Sequence, residues 1–362
     1  MHRTPPGPVL LMLAALVACP LAAGAQSPVP TMGQEEEHLD RTPLLIQGFG
    51  DIGFIVKAPS GEPSGFSLGA FELFATSRLG EHFSVLAELV FESHSANTLG
   101  VDLERFQLTY EHSDALRISF GRMHSPMLRW PIIHHHGVFI QTPIDRPIMS
   151  RWEDEPGLWP MHLVGLIAQG RSRGSVSVNY AVGVGNGRAP VHTEVQVDSD
   201  TDSRRAVVAS LGFSLDAVPG LAVHGSIYVD RIPAESGQLR ERDYTVSTAY
   251  VRGAAEVRGE WSRMGHRSVS SQVEYDTTGW YVLAAHRLPG RFAPLKPFVL
   301  VEKLDAAEGE AFLNGARDES NLAAGLRWDV NRWVALKADY RSRKLVGTDR
   351  SGAVRTQLAI NF

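Results

Sequence analysis

Ala353-Val354-Arg355-Thr356-Gln357-Leu358-Ala359-Ile360-Asn361-Phe362 closes the sequence. At the two-residue period of an extended strand, Val354, Thr356, Leu358, Ile360 and Phe362 fall on one face, and Arg355, Gln357 and Asn361 fall on the other. Two architectures produce such strands. A soluble sandwich turns the apolar face to its core, whereas a membrane barrel turns it to lipid and keeps the hydrophilic face for a lumen. The periodicity is the same in both, so the rest of the chain has to decide.

The opposite end favours export. Arg3 gives a weakly basic start, residues 9–18 form an apolar run too short to span a bilayer as a helix, and Ala23-Gly24-Ala25 before Gln26 fits a cleavage site. Residues 1–25 are therefore expected to be a signal peptide, followed by an N-terminal leader at 26–41. Leu16-Val17-Ala18-Cys19 resembles a lipoprotein box, a competing cut that would leave Cys19 lipidated. Residues 20–25 continue a signal peptide and offer little polar tether, which favours cleavage after Ala25. Cys19 is the only cysteine, so the mature chain would have no disulfide, thiolate catalyst or thiolate metal site. An exported chain ending in a two-faced strand with a terminal Phe resembles an outer-membrane β-barrel. The last strand of such barrels is also the signal read by the assembly machinery, an expected partner here together with outer-membrane lipids.

Composition agrees. The 362 residues are 43% hydrophobic, the mean hydropathy is -0.10, and beyond the signal no run of about 18 apolar residues could be a membrane helix. Alternating lipid-facing and lumen-facing residues cancel in such averages. Residues 1–25 hold Arg3 and no acid, so cleavage shifts the formal charge from -5 to -6. That mild acidity, with no basic stripe interleaved with aromatics, argues against nucleic acid as a partner.

The alternation persists through residues 42–362, the expected barrel domain. Phe83, Val85, Ala87, Leu89 and Phe91 oppose Ser84, Glu88 and Glu92; Phe106, Leu108 and Tyr110 oppose Arg105, Gln107, Thr109 and Glu111. Leu322, Ala324, Leu326, Trp328 and Val330 oppose Asn321, Arg327 and Asp329, and Val334, Leu336, Ala338 and Tyr340 oppose Lys337, Asp339 and Arg341. Charges in every hydrophilic set argue against a dry core on that face. Links between these segments alternate in length. Residues 58–65, 95–101, 124–160, 186–205, 233–242, 305–319 and 344–352 read as long, and 80–82, 112–114, 170–174, 216–220, 252–253, 288–292 and 331–332 as short, with 265–270 intermediate. Short periplasmic turns and longer outer loops give this asymmetry. The segments number about 16, enough for a barrel with a water-filled lumen. Phe66, Phe83, Tyr110, Phe213, Tyr244, Trp328, Trp333, Tyr340 and Phe362 lie near strand ends, as interfacial girdles do. The expected fold is an all-β transmembrane antiparallel barrel with its third long loop folded into the lumen.

That loop, residues 124–160, follows the fifth strand. It has no repeats and carries three Trp, which favours a packed functional loop. Leu116-Arg117-Ile118-Ser119-Phe120-Gly121-Arg122-Met123 leads into His124-Ser125-Pro126, then Trp130-Pro131-Ile132-Ile133-His134-His135-His136-Gly137 and Gln141-Thr142-Pro143-Ile144-Asp145-Arg146-Pro147. A strand ending Gly-Arg, then a Pro, then such a loop resembles the phosphate-selective porin family (porins O and P) and its relatives, closely over residues 121–147 and loosely over the barrel. The resemblance implies a channel for small hydrophilic solutes, with anions among the candidates, and a homotrimer in the cell outer membrane. Phosphate selectivity in that family depends on basic residues at the narrow part of the pore. Here the loop sets Arg129, Arg146 and Arg151 against Asp145, Glu153, Asp154 and Glu155, without a Lys. Phosphate specificity does not follow.

Candidate constriction residues are thus Arg129, His134, His135, His136, Asp145, Arg146 and Arg151. The expected pore lining is mixed: Arg78, Arg105, Arg117, Arg258, Arg327, Lys337, Arg341 and Arg355 among Glu72, Glu88, Glu92, Glu111, Glu256, Glu260, Asp329 and Asp339. Such a wall admits hydrophilic solutes and disfavours apolar ones. Asp145 and Arg146 also fit an ion pair within the loop, and the lumen charges fit mutual salt bridges. Three adjacent His in an extended segment cannot all reach one ion; two could, with Asp145 or His124 as a third ligand, but a packed or pore-lining loop is favoured, so no metal site and no cofactor is expected. Two other classes stay open. His224 and Ser226 share an inward face, but one His near one Ser in a polar lumen is expected by chance, and no His-Glu-x-x-His motif supports a hydrolase; a non-conducting adhesion or scaffold barrel would use outer loops such as 186–205.

Overall fold

Strand alternation closes on itself. The computed structural model describes residues 43–57, 64–94, 98–134, 137–151, 158–189, 195–201, 204–234, 237–310, 312–313 and 316–362. The signal peptide, the leader, Cys19, His135 and His136 lie outside the described residues. Among the described residues, sixteen strands form one closed antiparallel barrel, each paired with its sequence neighbours. They are β1 (Leu44–Lys57), β2 (Gly65–Leu79), β3 (Phe83–His94), β4 (Thr98–Ser113), β5 (Leu116–His124), β6 (His162–Ser172), β7 (Val176–Asn186) and β8 (Ala206–Leu215), then β9 (Leu221–Ala234), β10 (Gly237–Arg252), β11 (Ala255–Ser268), β12 (Glu274–His286), β13 (Leu295–Asp305), β14 (Glu319–Asp329), β15 (Val334–Leu345) and β16 (Ser351–Asn361). β16 closes the wall against β1, with Gly53 opposite Gln357 and Phe49 opposite Asn361. Gly48 and Phe362 exchange two backbone hydrogen bonds at 2.9 and 3.0 Å.

β10 shows the division of faces most plainly. Leu239, Glu241, Asp243, Thr245 and Ser247 are buried toward the inside, while Arg240, Arg242, Tyr244 and Val246 are exposed. Large apolar residues cover the exterior, including Phe66, Phe106, Val182, Trp261, Trp328 and Tyr340. A closed barrel leaves no unpaired strand edge, and an apolar exterior suits hydrocarbon.

Two expectations change. The link expected at 233–242 is a tight hairpin: β9 and β10 pair up to Ala234 opposite Gly237, with Arg231 opposite Arg240. Outward Arg231, Arg240 and Arg242 are charged while inward Ile232 and Leu239 are buried, which reverses the apolar-out pattern, so the sequence there resembles a loop although the ladder continues. Likewise β11 runs to Ser268 and β4 starts at Thr98. The interior is also not uniformly hydrophilic. Met264, Tyr281, Leu283, Phe298 and Leu300, from β11–β13, point inward and join an apolar cluster with residues of the third long loop.

Candidate functional site: the loop inside the barrel

Residues 125–161 connect β5 to β6, and those the structure describes turn into the barrel. Gly121 sits near the point of departure with φ +127, where a Cβ would lie 2.0 Å from the Phe106 carbonyl oxygen; only glycine allows β5 this approach to β4. Helix α1 (Arg129–His134) follows, with Pro131 in its first turn, where a missing N–H costs little. His134 closes this helix, so the His run starts from helical rather than extended backbone.

Apolar packing seats the loop. Met127, Leu128, Trp130, Ile148, Met149, Leu158, Trp159 and Met161 are buried against inward residues of the wall. Trp130 meets Tyr281 edge to face, with centroids 5.4 Å apart, and lies tilted against the His134 ring at 4.1 Å. Trp159 lies over Gly279 of β12, where any side chain would start 2.9 Å from the indole. Burying one Trp of 150–250 Å² contributes about 4–6 kcal/mol.

The inward charges hold the loop in register. Loop N–H and C=O groups taken out of water need partners, and the wall supplies ionised ones. Glu260 accepts from the Arg129 backbone N–H at 2.7 Å, and Glu302 accepts from that of Ile148 at 2.6 Å. Glu256 accepts from the Thr142 hydroxyl (2.7 Å) and from Lys296 (2.6 Å) and Arg258 (2.6 Å). Arg327 donates to the carbonyls of Phe139 and Gln141 at 2.5 and 2.8 Å. Lys337, 2% exposed, donates to those of Pro143 at 3.0 Å and of Val138. The Ser226 and Thr245 hydroxyls donate to the Met127 carbonyl at 2.8 and 3.0 Å. Arg341 and Arg355 both reach the Asp145 carboxylate, and Arg151 pairs with Glu319 at 2.9 Å. Burial pushes the Asp145 carboxyl up, but Arg355 and Arg341 outweigh it and hold it well below the usual carboxylate range. Burial pushes the His134 imidazole down to about 3, so it is neutral at physiological pH. Burial also lowers the Arg129 guanidinium.

Cavities remain beside the loop, three of them sizeable among the described residues. A space of about 850 Å³ on the long-loop side is lined by β1–β3, β15 and β16 and by loop residues including Asp145, Arg146 and Arg151. About 390 Å³ opens toward the short-turn end, bounded by Arg117, Arg129, Arg171, Asn179, Ser210 and His224. A third, about 180 Å³, touches Arg105, Ser119 and His124 and shares Pro126, Ile132 and Gln169 with the second. Among the described residues the three are lined by eight arginines and four carboxylates.

The residues singled out from sequence therefore separate into groups. Asp145, Arg146, Arg151 and Arg355 line the first cavity, Arg117 and Arg129 the second, and Arg105 the third. Glu256, Arg258, Glu260, Arg327, Lys337 and Arg341 lie beneath the loop and anchor it or its anchors. Asp339 braces Arg355 at 2.7 Å, Glu88 pairs with Arg105, and Glu72 is buried on the neighbouring β2. Arg78 and Glu111 pair at 3.6 Å near the short-turn rim. Ser226 is committed to the loop and to Thr245, not to His224. Sequence reasoning missed Glu302, Glu319, Thr142 and Lys296. β13 reads Phe298-Val299-Leu300-Val301-Glu302, apolar on both faces because the inward residues pack on the loop, which hid the phase. Among the described residues no group of three His, Asp or Glu side chains is arranged to hold a metal ion.

No family model and no curated protein matches the chain. Among solved structures it is similar to the anion-selective porin from Comamonas acidovorans, at 12% identity and TM-score 0.64 over 89% of this chain and 100% of that one. The outer membrane channel DcaP of Acinetobacter baumannii is similar at 11% identity and TM-score 0.59, over 89% and 97%. A loop-deletion mutant of OmpT, an outer membrane protein of Vibrio cholerae, is similar at 12% and 0.60, over 89% and 100%. Likeness at such identities is likeness of fold, that of a closed antiparallel transmembrane β-barrel.

Proposed function

We propose that the chain is an outer-membrane porin, a non-enzymatic channel for passive diffusion of small hydrophilic solutes, with a lining that favours anions. The carrying observation is the lumen itself. A loop anchored across a closed barrel leaves cavities on the long-loop side and at the short-turn end, with arginines outnumbering carboxylates two to one on their walls. In this reading the short turns face the periplasm and residues 125–161 form the constriction. Field from uncompensated guanidinium groups raises the local concentration of anions and lowers that of cations. Phosphate is a separate question, because the family resemblance rests on residues 121–147.

Purified protein in a planar bilayer is expected to give stepwise conductance with reversal potentials displaced toward chloride. Arg129→Ala and Arg146→Ala should each move the reversal potential toward cations. Silence from heat-modifiable, folded protein would refute the channel and favour a scaffold barrel, and phosphate block stronger than that of other oxyanions would restore phosphate selectivity.

A further inference from the structure

Most guanidinium groups along the lumen are already neutralised. In the 850 Å³ cavity Arg355 is held by Asp145 and Asp339, and Arg151 and Arg343 share Glu319. The 390 Å³ cavity differs. Its one carboxylate, Asp114, is engaged by Arg173 at 2.6 Å and Arg171 at 3.6 Å. Arg117 stands opposite Glu111 across the ladder, yet Glu111 turns to Arg78. Arg129 is attracted by Glu260, whose oxygens accept from the Arg129 backbone N–H and, at 3.4 Å, the Tyr281 hydroxyl. Neither guanidinium joins an ion pair or side-chain hydrogen bond among the described residues.

A second observation points into the same space. His224 is 9% exposed, its Nδ1 is buried without a hydrogen-bond partner, and Gly212 beside it leaves room for the ring. Buried polar atoms without partners are rare and call for one. The amides of Gln169 and Asn179 and the Ser210 hydroxyl border the same cavity, while Pro126, Ile132 and Ala181 supply apolar wall. Two planar forks fit two carboxylates or one bridged between them. The apolar stretch accommodates a carbon skeleton that inorganic phosphate lacks. A volume of 390 Å³ falls at the small end of ligand sites.

We propose that this vestibule is a binding subsite for small organic carboxylates, with Arg117 and Arg129 as the charged ligands and His224, Asn179 and Ser210 completing it. The assignment rests on the porin reading and names its substrate class. An anion that dwells here before release is concentrated at the short-turn mouth, and the same contacts slow competing chloride.

Succinate is the probe. Added to wild-type channels in chloride, it should reduce chloride current in a saturable way, and Arg117→Gln and Arg129→Gln should each raise the half-blocking concentration about tenfold to a hundredfold, the worth of one charge-assisted hydrogen bond. Arg263→Gln, which breaks an exposed 2.8 Å pair with Asp276, should leave block unchanged. Isothermal titration of succinate into the detergent-folded barrel reads the site without conduction, so a silent but succinate-binding protein would refute the channel and keep the subsite. Absence of succinate binding, equal block in wild type and both variants, or equally tight phosphate binding through the same arginines would overturn the proposal.

Discussion

Glu302→Gln tests whether the inward charges fix the loop. Glu302 is 1% exposed; one oxygen accepts from the Ile148 N–H at 2.6 Å, and the other from Asn321 Nδ2 at 2.9 Å and from Arg341. Glutamine keeps the shape but has one acceptor oxygen, so in either amide orientation a donor faces a donor. Arg341 also loses a buried countercharge. Breaking a buried pair costs about 3–5 kcal/mol, and because Asp145 still faces Arg341 the lower end, about 3 kcal/mol, applies. Glu302 belongs to the wall and Ile148 to the loop, so the cost falls on the docked state. It raises the undocked population by about two orders of magnitude. Single-channel records should then show brief excursions to higher conductance about a hundredfold more often than wild type, and trypsin should cut after Arg151 correspondingly faster. A variant that is folded, yet matches wild type in both excursions and cleavage, would refute the anchoring role.

Acidification should loosen the loop through His134. Burial, aided by Arg258, keeps the imidazole neutral down to about pH 3, whereas a released His takes a proton near 6.5. The undocked state therefore binds more protons below 6.5, and docking weakens from there toward pH 3 by at most about 1.4 kcal/mol per pH unit. Excursion frequency should rise over that window in wild type and much less in His134→Phe; identical pH profiles would sink the idea. Gly279→Leu places a side chain where the Trp159 indole lies 2.9 Å from the added Cβ, and overpacking of this kind costs about 1–3 kcal/mol. The temperature at which the barrel loses its compact, unheated gel mobility should fall, and an unchanged transition would show that Trp159 does not pack there.

The wall was legible in the sequence because its signal is redundant. Most strands repeat the same two-residue period, so an error over 233–242 left the closure intact. The outer strand ends were not legible: Arg231, Arg240 and Arg242 put charge on the outward face and Ile232 and Leu239 turn inward, so only pairing shows that they belong to a ladder. The loop was visible as a long Trp-bearing insertion, and Arg129, Asp145, Arg146 and Arg151 were picked from it. Which wall charges would meet water was not visible. Lys337 and Arg355 have the same alternation phase and chemistry, yet one lies under the loop bonding carbonyls and the other borders a cavity. That difference comes from where the loop lies, and the inward apolar residues that place it interrupt the alternation.

The interior thus has two arcs with separate roles. Along β9–β13 inward Tyr228, Met264, Tyr281, Leu283, Phe298 and Leu300 make an apolar bed, and the loop's Trp130, Met149 and Trp159 settle on it by burial, which has no preferred direction. Hydrogen bonds from the loop to Glu260 and Glu302, and to the loop from Arg327 and Lys337, have direction, and they select one position on that bed. The opposite arc, β16 with β1–β3, lines the large cavity, where Arg355 and Asp145 join loop to wall. Arg117 and Arg129 at the other end are tied to neither arc by an ion pair. Substitution at those two positions should therefore change which anions dwell in the lumen without moving the loop, whereas substitution at Glu302 should move the loop and alter passage of every solute together.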